Sequence, residues 1–204
     1  MTRRLAPSVN AGSMADIAFL LLIFFLVSTK METDHGITRK LPPPADDDPA
    51  ETIIKEKNLF KVELNQLNEL LVEGTVMEIS ALKDATIAFL DNGGESDGLA
   101  CDYCKGEGDV TSSDHPSKAI ISLINSRETN YATYVAVQNE LVAAYIELRN
   151  REAKRLYGIS FIEMKKNLKG ARNLNDKEVL RERIKKIQSL FPEKLSEAEP
   201  RNQY

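Results

Sequence analysis

Asp16 heads an apolar run, Ile17-Ala18-Phe19-Leu20-Leu21-Leu22-Ile23-Phe24-Phe25-Leu26-Val27, that no water-facing helix and no half-buried strand would carry. A helix that is greasy on every face must be covered on all sides, by protein or by lipid. A lone carboxylate beside such a segment is costly unless it finds a partner or takes up a proton. Asp16 is therefore the first candidate functional residue.

The uncharged core is eleven residues, the length of a signal-peptide apolar region, and Arg3 and Arg4 supply a basic flank. The region after it argues against cleavage, because Val27-Ser28-Thr29 before Lys30 lacks an Ala-x-Ala pattern. From Ala6 to Thr29 there are 24 residues with one acid and no base, enough for a tilted crossing of about 30 Å of hydrocarbon. An uncleaved span is favoured over a signal peptide. Arg3 and Arg4 nearly balance Lys30, Arg39 and Lys40 on the other flank, so charge alone sets no direction. The short leading tail and the large following body favour an inside N-terminus.

Beyond Lys30 the composition changes to dense charge of both signs, within a chain of 204 residues and net charge -4. No basic face emerges, which sets nucleic acid aside. Three consecutive prolines and three consecutive aspartates in Leu41-Pro42-Pro43-Pro44-Ala45-Asp46-Asp47-Asp48-Pro49 read as a stretched spacer. The expected organisation is a tail over 1–13, a transmembrane helix over 14–30 that could begin near residue 6, and a Pro/Asp-rich linker over 31–57. An α/β domain over 58–170 follows, with an insertion at 93–117, and then a C-terminal amphipathic helix and tail over 171–204.

Within the domain, Phe60, Val62 and Leu64 alternate with polar residues as a strand does, and Glu69 to Glu73 reads as a second strand. Thr75-Val76-Met77-Glu78 has the spacing of a capping box opening a helix that stops at Asn92-Gly93-Gly94. Lys118 to Asn125 fits a central strand. A long helix is expected from about Asn130 to Gly158, and a last one from Asp176 to Phe191-Pro192. Phe161-Ile162-Glu163-Met164 fits a short strand or a helix start. The order β-β-α-β-α with an extra C-terminal helix predicts an α/β (α+β) fold with helices packed on one sheet. The charges from Arg149 to Arg155 read as a solvated helix face, and Tyr131, Tyr134 and Tyr145 as core.

Cys101 and Cys104 lie in the insertion, in Cys101-Asp102-Tyr103-Cys104-Lys105-Gly106-Glu107-Gly108, which looks like one copy of the CxxCxGxG element of zinc-binding chaperone domains. Two thiolates fall short of the four ligands of a structural zinc, so a metal would need His115 and a carboxylate, or a second chain. A local disulfide is the plainer reading outside the cytoplasm. A thioredoxin-like role and an inert loop are the other readings, the former disfavoured by the glycine-rich setting. No Ser-His-Asp set, phosphate loop or paired-carboxylate site is present in the sequence, so neither an enzyme nor a cofactor is expected.

The segment from Asn10 through Asp16 to Phe25 resembles the transmembrane signature of the ExbD/TolR biopolymer-transport family, with an asparagine six residues before the acid and a Leu/Ile/Phe-rich run after it. Ser13 stands where proline is usual and Gly12 where threonine is common. Gly36-Ile37-Thr38-Arg39-Lys40-Leu41-Pro42 is similar to the family's extended stretch ending in Leu-Pro. The resemblance covers most of Ala6 to Gly158, leaving the cysteine loop and the C-terminal helix as additions.

The resemblance implies a single-pass subunit of the inner membrane with a cytoplasmic N-terminus and a periplasmic body. It implies a homodimer whose helices sit inside a ring of ExbB-like multi-span channel subunits, with proton flow through Asp16 passed to a TonB-like transducer. TolR-like members serve envelope maintenance instead. A membrane-anchored periplasmic binding or scaffold module, and a secreted protein losing its first thirty residues, are the readings from other classes. His35, just past the span among Glu32 and Asp34, is an exposed-linker residue by default and a proton relay in the sharper reading.

Overall fold

The computed structural model describes residues 11–28, 54–95 and 101–198. They divide into two compact units, one holding the N-terminal helix and one everything from residue 54 on. Asn10, His35, the Gly36-to-Pro42 stretch and the Pro/Asp spacer lie outside the described residues.

Helix α1 (Ala11–Ser28) has 18 residues. At 1.5 Å per residue it is about 27 Å long, against about 30 Å of bilayer hydrocarbon. Among the described residues no helix is long and apolar enough to cross a membrane. The described helix overlaps the expected span over 14–30 and includes Ala11, Gly12 and Ser13 ahead of it.

The body opens with a single 3-10 turn, Glu56–Asn58, and then strand β1 (Leu59–Leu64), whose Phe60, Val62 and Leu64 are buried. Strands β2 (Leu70–Val72) and β3 (Thr75–Met77) form a hairpin paired at Leu70↔Met77, Leu71↔Val76 and Val72↔Thr75. The two residues between them, Glu73 and Gly74, have φ of 50° and 77°. Two positive φ values in a two-residue loop match the right-handed twist of the flanking strands. The expected capping box at Thr75 is thereby overturned: three ladder pairs satisfy more backbone groups than one side-chain cap. Helix α2 (Ile79–Leu90) starts after Glu78, which makes no side-chain cap hydrogen bond.

Strand β4 (Ile120–Asn125) lies parallel to β1, and helix α3 (Tyr131–Tyr157) follows it. Asn130 caps α3 by accepting from the Ala132 amide, and Gly158 ends it at φ 72°. Helix α4 (Phe161–Gly170) resolves the ambiguous Phe161-to-Met164 segment, with the Ser160 hydroxyl accepting from the Glu163 amide. Helix α5 (Leu174–Leu190) begins two residues before Asp176, capped by Asn173.

A fifth strand, β5 (Leu195–Ala198), was not legible as one. It pairs parallel to β4, completing a sheet of order β3-β2-β1-β4-β5. The mixed α/β class stands, and the observed order is β-β-β-α-β-α-α-α-β rather than β-β-α-β-α with a helix added.

Burial explains the layering. Val62, Ile121 and Leu123 on the sheet pack with Leu82 of α2 and Val137, Leu141, Tyr145 and Leu148 of α3. The alternate sheet residues Lys61, Glu63 and Ser122 are half-buried or exposed, so the helices take one face. Helices α4 and α5 close a second, smaller core against the end of α3, with Ala153, Phe161, Met164, Ile184 and Ile187.

Candidate functional site

Asp16 sits in the second turn of α1. Helical spacing puts Gly12 and Ser13 before it and Phe19 and Leu20 after it on the same face. The rest of the helix is apolar all round, and Met14, Ile17, Phe19, Leu22, Phe24 and Phe25 are each more than half exposed. A helix of this pattern has no polar face to turn to water, so α1 is shaped for surroundings that are apolar on every side.

In the body, Cys101 and Cys104 are joined as a disulfide. Among the described residues no group of three His, Cys, Asp or Glu side chains could hold a metal ion. His115, the residue that could have completed a zinc site, instead has its Nδ1 within 2.7 Å of the Ser117 hydroxyl and its ring edge-on to Tyr103. Burial lowers its pKa.

The insertion around the disulfide is held down by main-chain bonds. The Gly106 and Gly108 amides donate to the carbonyls of Asp91 and Asn92, at the end of α2. The Asn92 amide group donates to the carbonyls of Asp109 and Ser113, each at 2.8 Å, and its oxygen accepts from the Asp109 amide. A Cβ on Gly94 would come within 2.1 Å of the Asp109 carbonyl oxygen, and one on Gly106 within 2.6 Å of Asn92 and Asp91 backbone atoms. The loop is therefore a close-packed wall with glycine demanded at its contacts.

Tyr103, between the cysteines, donates its hydroxyl to the Leu190 carbonyl at 2.8 Å and stacks edge-on to Phe191. Burial and nearby carboxylates push its pKa up to about 12. The cysteine loop thus touches the exit of α5, just before β5.

Three of the charges expected to be a solvated face are drawn inward. Arg149 is 5% exposed and Glu152 fully buried. Arg149 donates twice to the Phe191 carbonyl, at 3.0 and 2.8 Å, and once to Glu193. Arg151 reaches Asp91, Glu152 and the Tyr103 carbonyl, and Arg155 closes on the other Glu152 oxygen at 2.6 Å. The partners lie up to 60 residues away in sequence, which is why local spacing suggested solvent. Of the three tyrosines, Tyr145 is core and Tyr131 is 73% exposed.

A second buried charge fixes the other edge of the insertion. Asp114 accepts from Asn58 at 3.1 Å and pairs with Lys57 and Lys55. Burial alone would raise its pKa, but the hydrogen bonds from Lys57, Asn58 and Lys55 outweigh it and hold the carboxyl at about 2. Between this anchor, β1 and α2 lies an open groove of about 770 Å³.

The family model for Biopolymer transport protein ExbD/TolR matches residues 2–152, from the N-terminal tail into α3. The chain belongs to the ExbD/TolR family. Its members are transport-associated subunits rather than enzymes, and membership implies an inner-membrane protein with a periplasmic domain. The match ends before α4, α5 and β5. No curated relative and no solved structure matches the chain.

Proposed function

We propose that this chain is the ExbD-like subunit of a proton-driven inner-membrane motor, coupling proton-motive force to TonB-dependent transport across the outer membrane. The observation that carries the reading is α1 itself: a helix apolar on every face, with Asp16 as its one charged residue. With the family match, that surface supports insertion as a single-pass helix, N-terminus in the cytoplasm and body in the periplasm. Its 18 described residues cover most of the hydrocarbon thickness.

Asp16 is the proton carrier in this proposal. A carboxylate in an apolar surround is stable when neutral and seeks water or a polar partner when charged, so proton uptake and release change where the helix prefers to sit. One helix cannot enclose a proton path, so an ExbB-like multi-span subunit surrounds it, a second copy of this chain accompanies it, and a TonB-like transducer takes up the motion. Asp16→Asn keeps the size and hydrogen-bonding capacity but cannot ionise. It should abolish energised uptake while leaving insertion and co-purification with the multi-span subunit intact. Normal uptake by that variant sinks the proposal. Intact uptake with a detergent-sensitive envelope would instead assign the chain to the TolR-like branch.

A further inference from the structure

The cysteine insertion gives the body a groove whose chemistry is distinct from that of Asp16. Four segments line it: the start of β1, the Glu73 turn, α2 and residues 106–112 of the insertion. Its floor is apolar, made by Leu59, Ala85, Ala88 and Phe89. The two alanines stand three residues apart on α2, so their small side chains leave space along one helix face.

The rim is acidic. Lys57, the one basic residue in the lining, is already engaged by the Asp114 carboxylate and the Val110 carbonyl, and Glu56 is paired with Lys61 at 2.9 Å. Glu73, Glu107 and Asp109 form no ion pair among the described residues. Hydrogen bonds from Thr111 lower the pKa of Asp109, keeping it charged. Glu73 accepts the Lys61 amide at 2.6 Å and Asp109 the Thr111 amide and hydroxyl. The groove therefore offers an apolar floor beside three carboxylates that stand outside any salt bridge among the described residues, and its loop wall is fixed in place by the close contacts at Gly94 and Gly106. A site that needs no ordering on binding loses less entropy when it fills.

We propose that this groove receives an extended, lysine- or arginine-bearing peptide segment of a partner protein. A small aliphatic side chain rests on the Ala85 and Ala88 floor, and flanking cations face Glu73, Glu107 and Asp109. Charge complementarity selects this occupant over an anionic polymer, which the same three carboxylates repel.

The test uses the full chain in non-ionic detergent and a fluorescein-labelled heptapeptide alternating lysine with valine, read by anisotropy. The lysine peptide should bind, and raising salt from about 0.05 M to about 0.5 M should weaken it about tenfold, because the charges meet at an exposed rim. Glu107→Lys should weaken it about tenfold as well. Ala88→Trp fills the floor and should abolish binding, with thermal unfolding of both variants unchanged. Asp16→Asn should bind the peptide normally, which separates this site from proton coupling. Absence of binding, equal binding of a glutamate-for-lysine peptide, or indifference to both groove variants overturns the proposal. Pelleting with insoluble cell-wall polymer that Ala88→Trp abolishes overturns it too, by giving the groove to a polysaccharide.

Discussion

Arg151 holds Asp91 with two parallel hydrogen bonds, Nη1 to Oδ2 at 2.5 Å and Nη2 to Oδ1 at 2.7 Å, tying the middle of α3's charged stretch to the end of α2. Asp91 is 7% exposed at its side chain and has no second cation bonded to it among the described residues. Removing the guanidinium leaves a carboxylate desolvated and unpaired. Arg151→Ala should lower unfolding free energy by about 2–3 kcal/mol, measured by urea denaturation. Arg151→Lys should recover only part of that, since an ammonium cannot form the paired bonds. A full recovery would show that charge alone matters.

Asp114 makes stability depend on acid. Its folded pKa of about 2 lies below the 3.8 of an unperturbed aspartate. A group depressed in the folded state binds fewer protons there than when unfolded. Its contribution is therefore complete above about pH 4 and lost as pH falls from 4 towards 2. The loss is on the order of 1–2 kcal/mol. Asp114→Asn should be less stable at neutral pH and flatter across that acid window. Melting curves at a series of pH values decide it, and a parallel pH slope in the variant would refute the assignment.

Two glycines that look alike in sequence should respond differently to alanine. Gly106→Ala drives a methyl into backbone atoms at 2.6 Å. That overlap has no flexible side chain to absorb it and should cost about 2 kcal/mol or more. Gly158→Ala meets nothing within 4 Å, and its cost comes only from φ of 72°. That strain is about 1 kcal/mol. Thermal melts of the two variants should rank in that order.

The disulfide closes a short loop, since its cysteines are three residues apart. Chain-entropy reasoning gives such a small loop about 2 kcal/mol of stabilisation. Cys101→Ser with Cys104→Ser should lower the melting temperature by about 4–8 °C for a body of this size. Exchange protection of the Phe191 region should fall as Tyr103 loosens. Unchanged protection there would mean the tyrosine holds its place without the covalent link.

What could be read from the sequence depended on whether a residue's partners were local. The ends of α3 were legible because Asn130 and Gly158 act within one turn of themselves, and β1 because Phe60, Val62 and Leu64 alternate. Thr75 was misread because its immediate neighbours suit a helix cap, whereas the deciding partner is Val72 across the hairpin. Leu195 to Ala198 carries one half-buried and three exposed residues, so no hydrophobic pattern marks it as a strand; β4 does. Asp16 stood out as the single acid in an apolar segment. The groove did not, because its walls come from four separated segments, and neither did the buried part of Arg149 to Arg155.

The pairing of β5 with β4 has a consequence for how the chain is made. Residue 195 leaves the ribosome about 70 residues after the end of β4, which at roughly 5–20 residues per second is several seconds later. Until then the edge of β4, with Ile121 and Leu123 beside it, presents unpaired amides and carbonyls, an invitation to other strands. The sheet is vulnerable longest on the side that closes last.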